Sequence, residues 1–231
     1  MLGEAPSAVA AVRHALQVAH LGVDDIDFFD FYSCFPIAVF NIIDAIGLSA
    51  SDPRGLTLTG GLPFFGGPGN NYSMHAIAEA VARVRSRAGG FALVSANGGM
   101  LSKTSVGVYS STPTPRRPDH SQLLQREIDG RDAPAVAERA IGWATIETYT
   151  VTHGRNGPRG IVIGRLESDG SRFVAKVADG DDELLALLQT GDEPVGQRIY
   201  VTAIGDGNRV GMRGLAAQRI SGEHGGVARA W

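Results

Sequence analysis

The sequence predicts an α/β layered unit followed by a small all-β barrel. Helical periodicity alternates with short apolar strands in the first half of the chain. Composition then breaks at Thr112 into the proline-rich stretch TPTPRRPDHSQ. Beyond about Gly142 the pattern is five strands with tight turns and one short helix after the third, the order of an OB-like barrel. The 231 residues suffice for two small domains, and 43% apolar content supplies a core.

In chain order, Val9, Val12, Leu16 and Ala19 share a helical face, with Ser7 as the expected cap and Gly22 as the stop. The aromatic run IDFFDFY (26–32) reads as a buried strand. Pro36 suits the first turn of a helix ending at Gly47. The loop 60–71 (GGLPFFGGPGNN) is followed by a helix capped by Asn71, with Met74, Ile77, Val81 and Val84 facing a core. Arg83, Arg85 and Arg87 suit the negative end of that helix dipole. Strands are expected over 91–95 and 106–110, with a loop over 96–104 between them. The expected domains are 1–112, a linker over 113–141, the barrel over 142–213 and a tail over 214–231. Barrel strands are expected over 144–152, 160–166, 172–178, 198–203 and 209–212, with the helix over 181–188.

The net charge of −3 offers no basic excess for a polyanion, so neither nucleic acid nor a membrane is expected as a partner. Only Tyr149, Phe173 and Tyr200 supply rings to the barrel strands, too few for a single-strand stacking platform. Cys34 is the single cysteine, which excludes an intramolecular disulfide and a cysteine-rich zinc site, and no metal is expected. The N-terminus lacks a basic region followed by an apolar run, and Asn41 and Asp44 interrupt the apolar stretch 35–46. A cytoplasmic location is the expectation.

Four segments carry chemistry. Tyr32-Ser33-Cys34-Phe35 lies where a strand gives way to a helix, whose N–H groups stabilise a thiolate or an oxyanion. A buried structural cysteine is the alternative. Gly66, Gly67, Pro68 and Asn70 lie in a loop whose glycines let a ligand approach the backbone, or which forms a plain turn. His75 stands in the first turn of its helix, on a stripe with Ala78 and Ala82. The positive helix end disfavours imidazolium, which suits a neutral acid/base group or a core histidine. Ser95 and Asn97 lie in Ser95-Ala96-Asn97-Gly98-Gly99-Met100 at a strand end, placed to donate to a carbonyl oxygen or to shape a turn.

In this order and spacing the segments resemble the C-terminal half of thiolases, especially the sterol-carrier-protein thiolase and thiolase-like branch. The resemblance covers about residues 5–112. Tyr32-Ser33-Cys34-Phe35 takes the place of a His-Asp-Cys-Phe motif. Gly60-Gly61-Leu62, three residues, then Gly66-Gly67-Pro68 takes the place of Gly-Gly-Leu, a spacer and Gly-His-Pro. Ser95 to Met100 takes the place of Cys-x-Gly-Gly-Gly-Met. The resemblance implies the C-terminal half of a thiolase-like layered fold with an added barrel domain. It also implies an acyl-CoA protein of fatty-acid or sterol metabolism, of acetyl-CoA acetyltransferase type, with coenzyme A as part of the substrate and no separate cofactor.

The departures imply degeneracy. Gly67 replaces the histidine that activates the family's nucleophilic cysteine, Ser95 replaces the acid/base cysteine, and Tyr32 replaces the first histidine. The nucleophile itself belongs to the N-terminal half. The expected partner is therefore that missing half, or a second copy of the chain. His75, Tyr32, Cys34, Ser95 and Asn97 are the candidate catalytic residues, converging on one pocket, and Gly66, Gly67, Pro68 and Asn70 the candidate cofactor-binding ones. A subunit of a thiolase-like retro-aldol lyase, with Tyr32 as acid/base group, and a non-catalytic CoA-ester or protein-binding module are the alternatives.

Overall fold

The computed structural model describes residues 3–114, 117–190 and 193–214. They divide into two units, Gly3–Arg131 and the residues from Asp132 onward. In the first, α1 (Pro6–Ala19) starts on a proline, with Ala5 as N-cap and no side-chain cap, so Ser7 lies inside the helix. It stops at His20 rather than Gly22. His20 turns left-handed (φ 54°), and the N–H groups of His20 and Leu21 donate to the carbonyls of Gln17 and Leu16, which offsets the strain.

β1 is only Phe28–Asp30, shorter than the aromatic run suggests. It pairs in parallel with β2, Phe28 opposite Ala92 and Asp30 opposite Val94. Beyond it the Phe31 N–H donates to the Leu56 carbonyl instead. α2 (Pro36–Ile46) runs as expected and closes on Gly47 at φ 79°. A single-turn helix α3 (Leu62–Phe65) interrupts the glycine-rich loop, and α4 (Tyr72–Arg85) follows. β2 (Phe91–Gly98) and β3 (Lys103–Ser110) form an antiparallel hairpin paired from Phe91–Ser110 to Gly98–Lys103. Most of the span 96–104, expected as loop, is therefore strand, because backbone pairing continues almost to the turn.

Alternation along β2 sorts the core. Leu93 faces α1 and α2 among Val12, Leu16, Phe29, Phe31, Val39, Ile42 and Ile43. Ala92 and Val94 face α4. The buried stripe of α4 is Tyr72, Ala76, Ala80 and Val84; Met74 is exposed. Of the expected stripe of 74, 77, 81 and 84, Val84 is buried and Ile77 packs partly against the same cluster, while the alanines at 76 and 80 let α4 approach the strands closely.

The span 113–141, expected as a linker, contains α5 (Ser121–Asp129) in the first unit. There Arg117 donates to the Val18 carbonyl at 3.2 Å, at the C-terminal end of α1. Within the second unit Val136 bridges Arg172, and the Ala140 N–H donates to Asn208 Oδ1 at 2.9 Å. The second unit is a closed barrel of β4 (Gly142–Gly154), β5 (Gly157–Leu166), β6 (Arg172–Val177), β8 (Gly207–Gly211) and β7 (Arg198–Ile204), in that order around the wall. β7 closes on β4, with Trp143 opposite Tyr200, and β6 and β8 pair in parallel. With α6 (Asp182–Gln189) after the third strand, the unit is a five-stranded closed barrel with the element order the sequence predicts. Asp181 caps α6 by accepting from the Leu184 N–H at 3.0 Å, and its other oxygen accepts from Met212 N–H. Phe173 fills the centre beside Gly164. The tail beyond residue 214 lies outside the described residues. No helix among the described residues is long and apolar enough to cross a membrane.

A Cβ on Gly164 would lie 2.6 Å from the Phe173 ring. Gly164→Ala should therefore cost about 1–3 kcal/mol of stability, read from urea unfolding. A second expectation comes from Glu147. Its hydrogen bonds to Arg172 and Arg165 lower its pKa from the usual 4.5 to about 2. Because the folded value is depressed, this stabilisation is present above 4.5 and is lost as pH falls toward 2. The urea midpoint should drop between about pH 5 and about pH 3, and the drop should shrink in Glu147→Gln.

Candidate functional site

The exit of β1 organises the site. The Asp30 carboxylate is wholly buried. Its Oδ2 accepts from the Leu58 N–H at 2.8 Å and the Thr59 N–H at 3.3 Å; its Oδ1 accepts from the Tyr72 hydroxyl at 3.0 Å. Thr59 Oγ1 lies 2.6 Å from Tyr72 Oη. Burial raises the Asp30 pKa above the usual range, against the lowering effect of these hydrogen bonds. Burial likewise pushes Tyr72 up to about 12, so its phenol stays protonated. These residues hold the strand, the 58–59 loop and α4 in register.

On this frame the Tyr32 N–H donates to Ser95 Oγ at 2.9 Å, joining the end of β1 to β2. Ser33 Oγ accepts from the Leu62 N–H at 3.0 Å, drawing in the glycine-rich loop. Gly61 makes that approach possible. Its φ is +92°, and a Cβ there would sit 3.2 Å from Ser33 Oγ. Asn97 Nδ2 donates to Cys34 Sγ at 3.5 Å. Tyr32, Cys34, Ser95 and Asn97 thus meet, as the sequence leads one to expect. Tyr32, Ser95 and Asn97 also line a small cavity of about 20 Å³ together with Ala38, Ile42 and Thr104. A much larger depression of this unit, about 1340 Å³, lies elsewhere, along α1 and α5, and is open to solvent.

His75 does not join them. Its ring neighbour is Phe65, with centroids 5.2 Å apart, and Asn71 Nδ2 lies 3.4 Å from its Nε2. Asn71 therefore reaches along the helix instead of capping it. The stripe shared with Ala78 and Ala82 faces solvent rather than a close packing partner. α4 packs on the Ala92 and Val94 face, opposite Leu93, so His75 reaches Tyr32 only through Phe65 and Tyr72. Gly66, Gly67, Pro68 and Asn70 all lie in an exposed segment. There Gly66 takes φ +84° and a Cβ on Gly67 would come 3.1 Å from Leu62.

Among the described residues no histidine or carboxylate hydrogen-bonds Cys34, so the thiol has no base within reach to activate it. No cluster of three or more His, Cys, Asp or Glu side chains suited to a metal occurs among them either. Asp30 and Tyr72 escaped the sequence reading. Their one signal was an aspartate inside the apolar run IDFFDFY, which a buried strand tolerates only with dedicated donors.

Comparison with known proteins bears on this geometry. A family described as the thiolase-like protein type 1 additional C-terminal domain matches residues 123–206. A crystal structure described as a monomeric SCP2-thiolase like protein type 1 from Mycobacterium smegmatis superposes with a TM-score of 0.85 at 55% identity, over 90% of this chain and 46% of that one. The chain is thiolase-like. It spans about half the length of that relative, and the barrel found here falls largely within the matched additional domain. No curated protein matches significantly.

Asp30→Ala would leave the Tyr72 hydroxyl and the two loop N–H groups without their acceptor. The expected loss is about 2–4 kcal/mol in chemical denaturation. Asp30→Asn keeps one acceptor oxygen and should lose clearly less.

Proposed function

We propose that this thiolase-like chain belongs to a protein that handles acyl-CoA esters of fatty-acid or sterol metabolism without carrying out thiolysis on its own. The observation that supports this is the environment of Cys34. Its polar neighbour is the Asn97 amide at 3.5 Å, and no histidine or carboxylate among the described residues hydrogen-bonds it. Ser95 stands where the resemblance places an acid/base cysteine, and its oxygen is already engaged by the Tyr32 N–H. A hydroxyl is also a far weaker acid than a thiol. Binding and positioning of the ester fit these groups better than covalent catalysis.

The surface of this unit supports a covering partner. Phe35, Ile37, Phe40, Phe64, Phe65, Met74 and Met100 are exposed, with Phe64 at 89% and Met100 at 86%. A thiolase-like N-terminal half, or a second copy of the chain, would bury such side chains. The Mycobacterium smegmatis relative is described as monomeric, and its chain is about twice as long. A second reading, a subunit of a thiolase-like retro-aldol lyase, draws on Tyr32. This tyrosine borders the cavity and packs edge-on against Tyr72 with centroids 5.4 Å apart.

The test is direct. The purified chain should give no thiolysis of acetoacetyl-CoA above background, while calorimetric titration with acetyl-CoA should give saturable heat. Turnover that persists in Cys34→Ala would refute the first part. Absence of binding, both alone and with a thiolase-like N-terminal half added, would refute the second.

A further inference from the structure

Ser95 and Asn97 have complementary unmet hydrogen-bonding capacity. Ser95 is 1% exposed, and its oxygen accepts from the Tyr32 N–H, which leaves its own proton to donate. Asn97 spends Nδ2 on Cys34, and its Oδ1 is buried without a donor among the described residues. A buried acceptor left in this way costs about 1–3 kcal/mol. The two residues are separated by one position on β2, so both side chains point to the same face. Thr104, paired with Asn97 across the hairpin, lines the same space.

The cavity they share measures about 20 Å³. A single water needs roughly 10–15 Å³ on this measure and two to four polar partners. We propose that Ser95, Asn97 and Thr104 form a binding site for one water molecule. It accepts the Ser95 hydroxyl proton and donates one hydrogen to Asn97 Oδ1. One hydrogen and one lone pair remain, for Thr104 and for whatever enters from the Tyr32 side. An acyl thioester is far too large for this space. The polar wall therefore presents a held water to a ligand, in place of direct donation from the serine and the amide.

Asn97 is what creates the site. It stands where the resembled motif has glycine, and a glycine would supply neither the acceptor nor the contact with Cys34. The inference concerns the same region as the acyl-CoA reading and does not depend on it.

A crystal structure of the full chain at about 1.5 Å should show a fully occupied water peak within hydrogen-bonding distance of both Ser95 Oγ and Asn97 Oδ1. Ser95→Ala and Asn97→Leu should each lower Tm by about 2–6 °C, and the double variant by clearly less than their sum, since one water serves both. Asn97→Asp keeps the acceptor and should keep the peak. No peak in the wild-type density, or strictly additive Tm shifts, would overturn the proposal. The wild-type density decides by itself if a variant fails to fold. CoA-ester binding is measured separately, so either reading can fail alone.

Discussion

A buried carboxylate, Asp30, sets the geometry of the first unit. β1 contributes only three residues to the sheet, too few to fix the direction of the chain leaving it. Asp30 does so by gathering donors from the 58–59 loop and from Tyr72 on α4. An acceptor taken out of water is costly unless it is fully engaged. Strand, loop and helix must therefore arrive together. Tyr72 then carries the constraint outward, because its ring is the edge partner of both Tyr32 and Phe65. His75 leans on Phe65 in turn. Tyr32, the glycine-rich loop and His75 all inherit their positions from this carboxylate.

The site assembled on that frame is polar but weakly charged. Its side chains are hydroxyls, an amide and a thiol: Ser33 and Ser95 accept from the backbone N–H groups of Leu62 and Tyr32, and Asn97 donates to Cys34. Such groups orient a neutral ligand by hydrogen bonds. They do not generate a strong nucleophile, which requires a base or a depressed pKa. This arrangement agrees with the proposed role in recognition and positioning of an ester.

The second unit is stabilised differently. Its wall closes through β7 on β4 and through the parallel pair β6 and β8, so every strand has two neighbours over part of its length. Glycines 160 and 164 open space inside the barrel for Val177, Leu188 and Phe173. On the outer surface Glu147 bridges Arg165 and Arg172 across three adjacent strands. Arg198 lies 4.0 Å from the centre of the Trp143 ring at the β4–β7 seam.

The sequence by itself determined the class and order of the elements, because periodicity and turn residues act locally. α2, the five barrel strands and the helix after the third are examples, each held by proline, glycine or alternation within its own segment. The meeting of Tyr32, Cys34, Ser95 and Asn97 was also legible, since all four lie at strand or helix ends on adjacent chain exits. Tertiary structure decided what depends on partners distant in sequence. Asn97 became a strand residue because β3 pairs with it through Thr104. The buried face of α4 shifted to Tyr72, Ala76 and Ala80 because Asp30, 42 positions away from Tyr72, takes its hydroxyl. His75 was thereby turned toward Phe65 and away from the pocket. A helical stripe is read from spacing alone, but which stripe is buried follows from the hydrogen bond that only the folded chain can make.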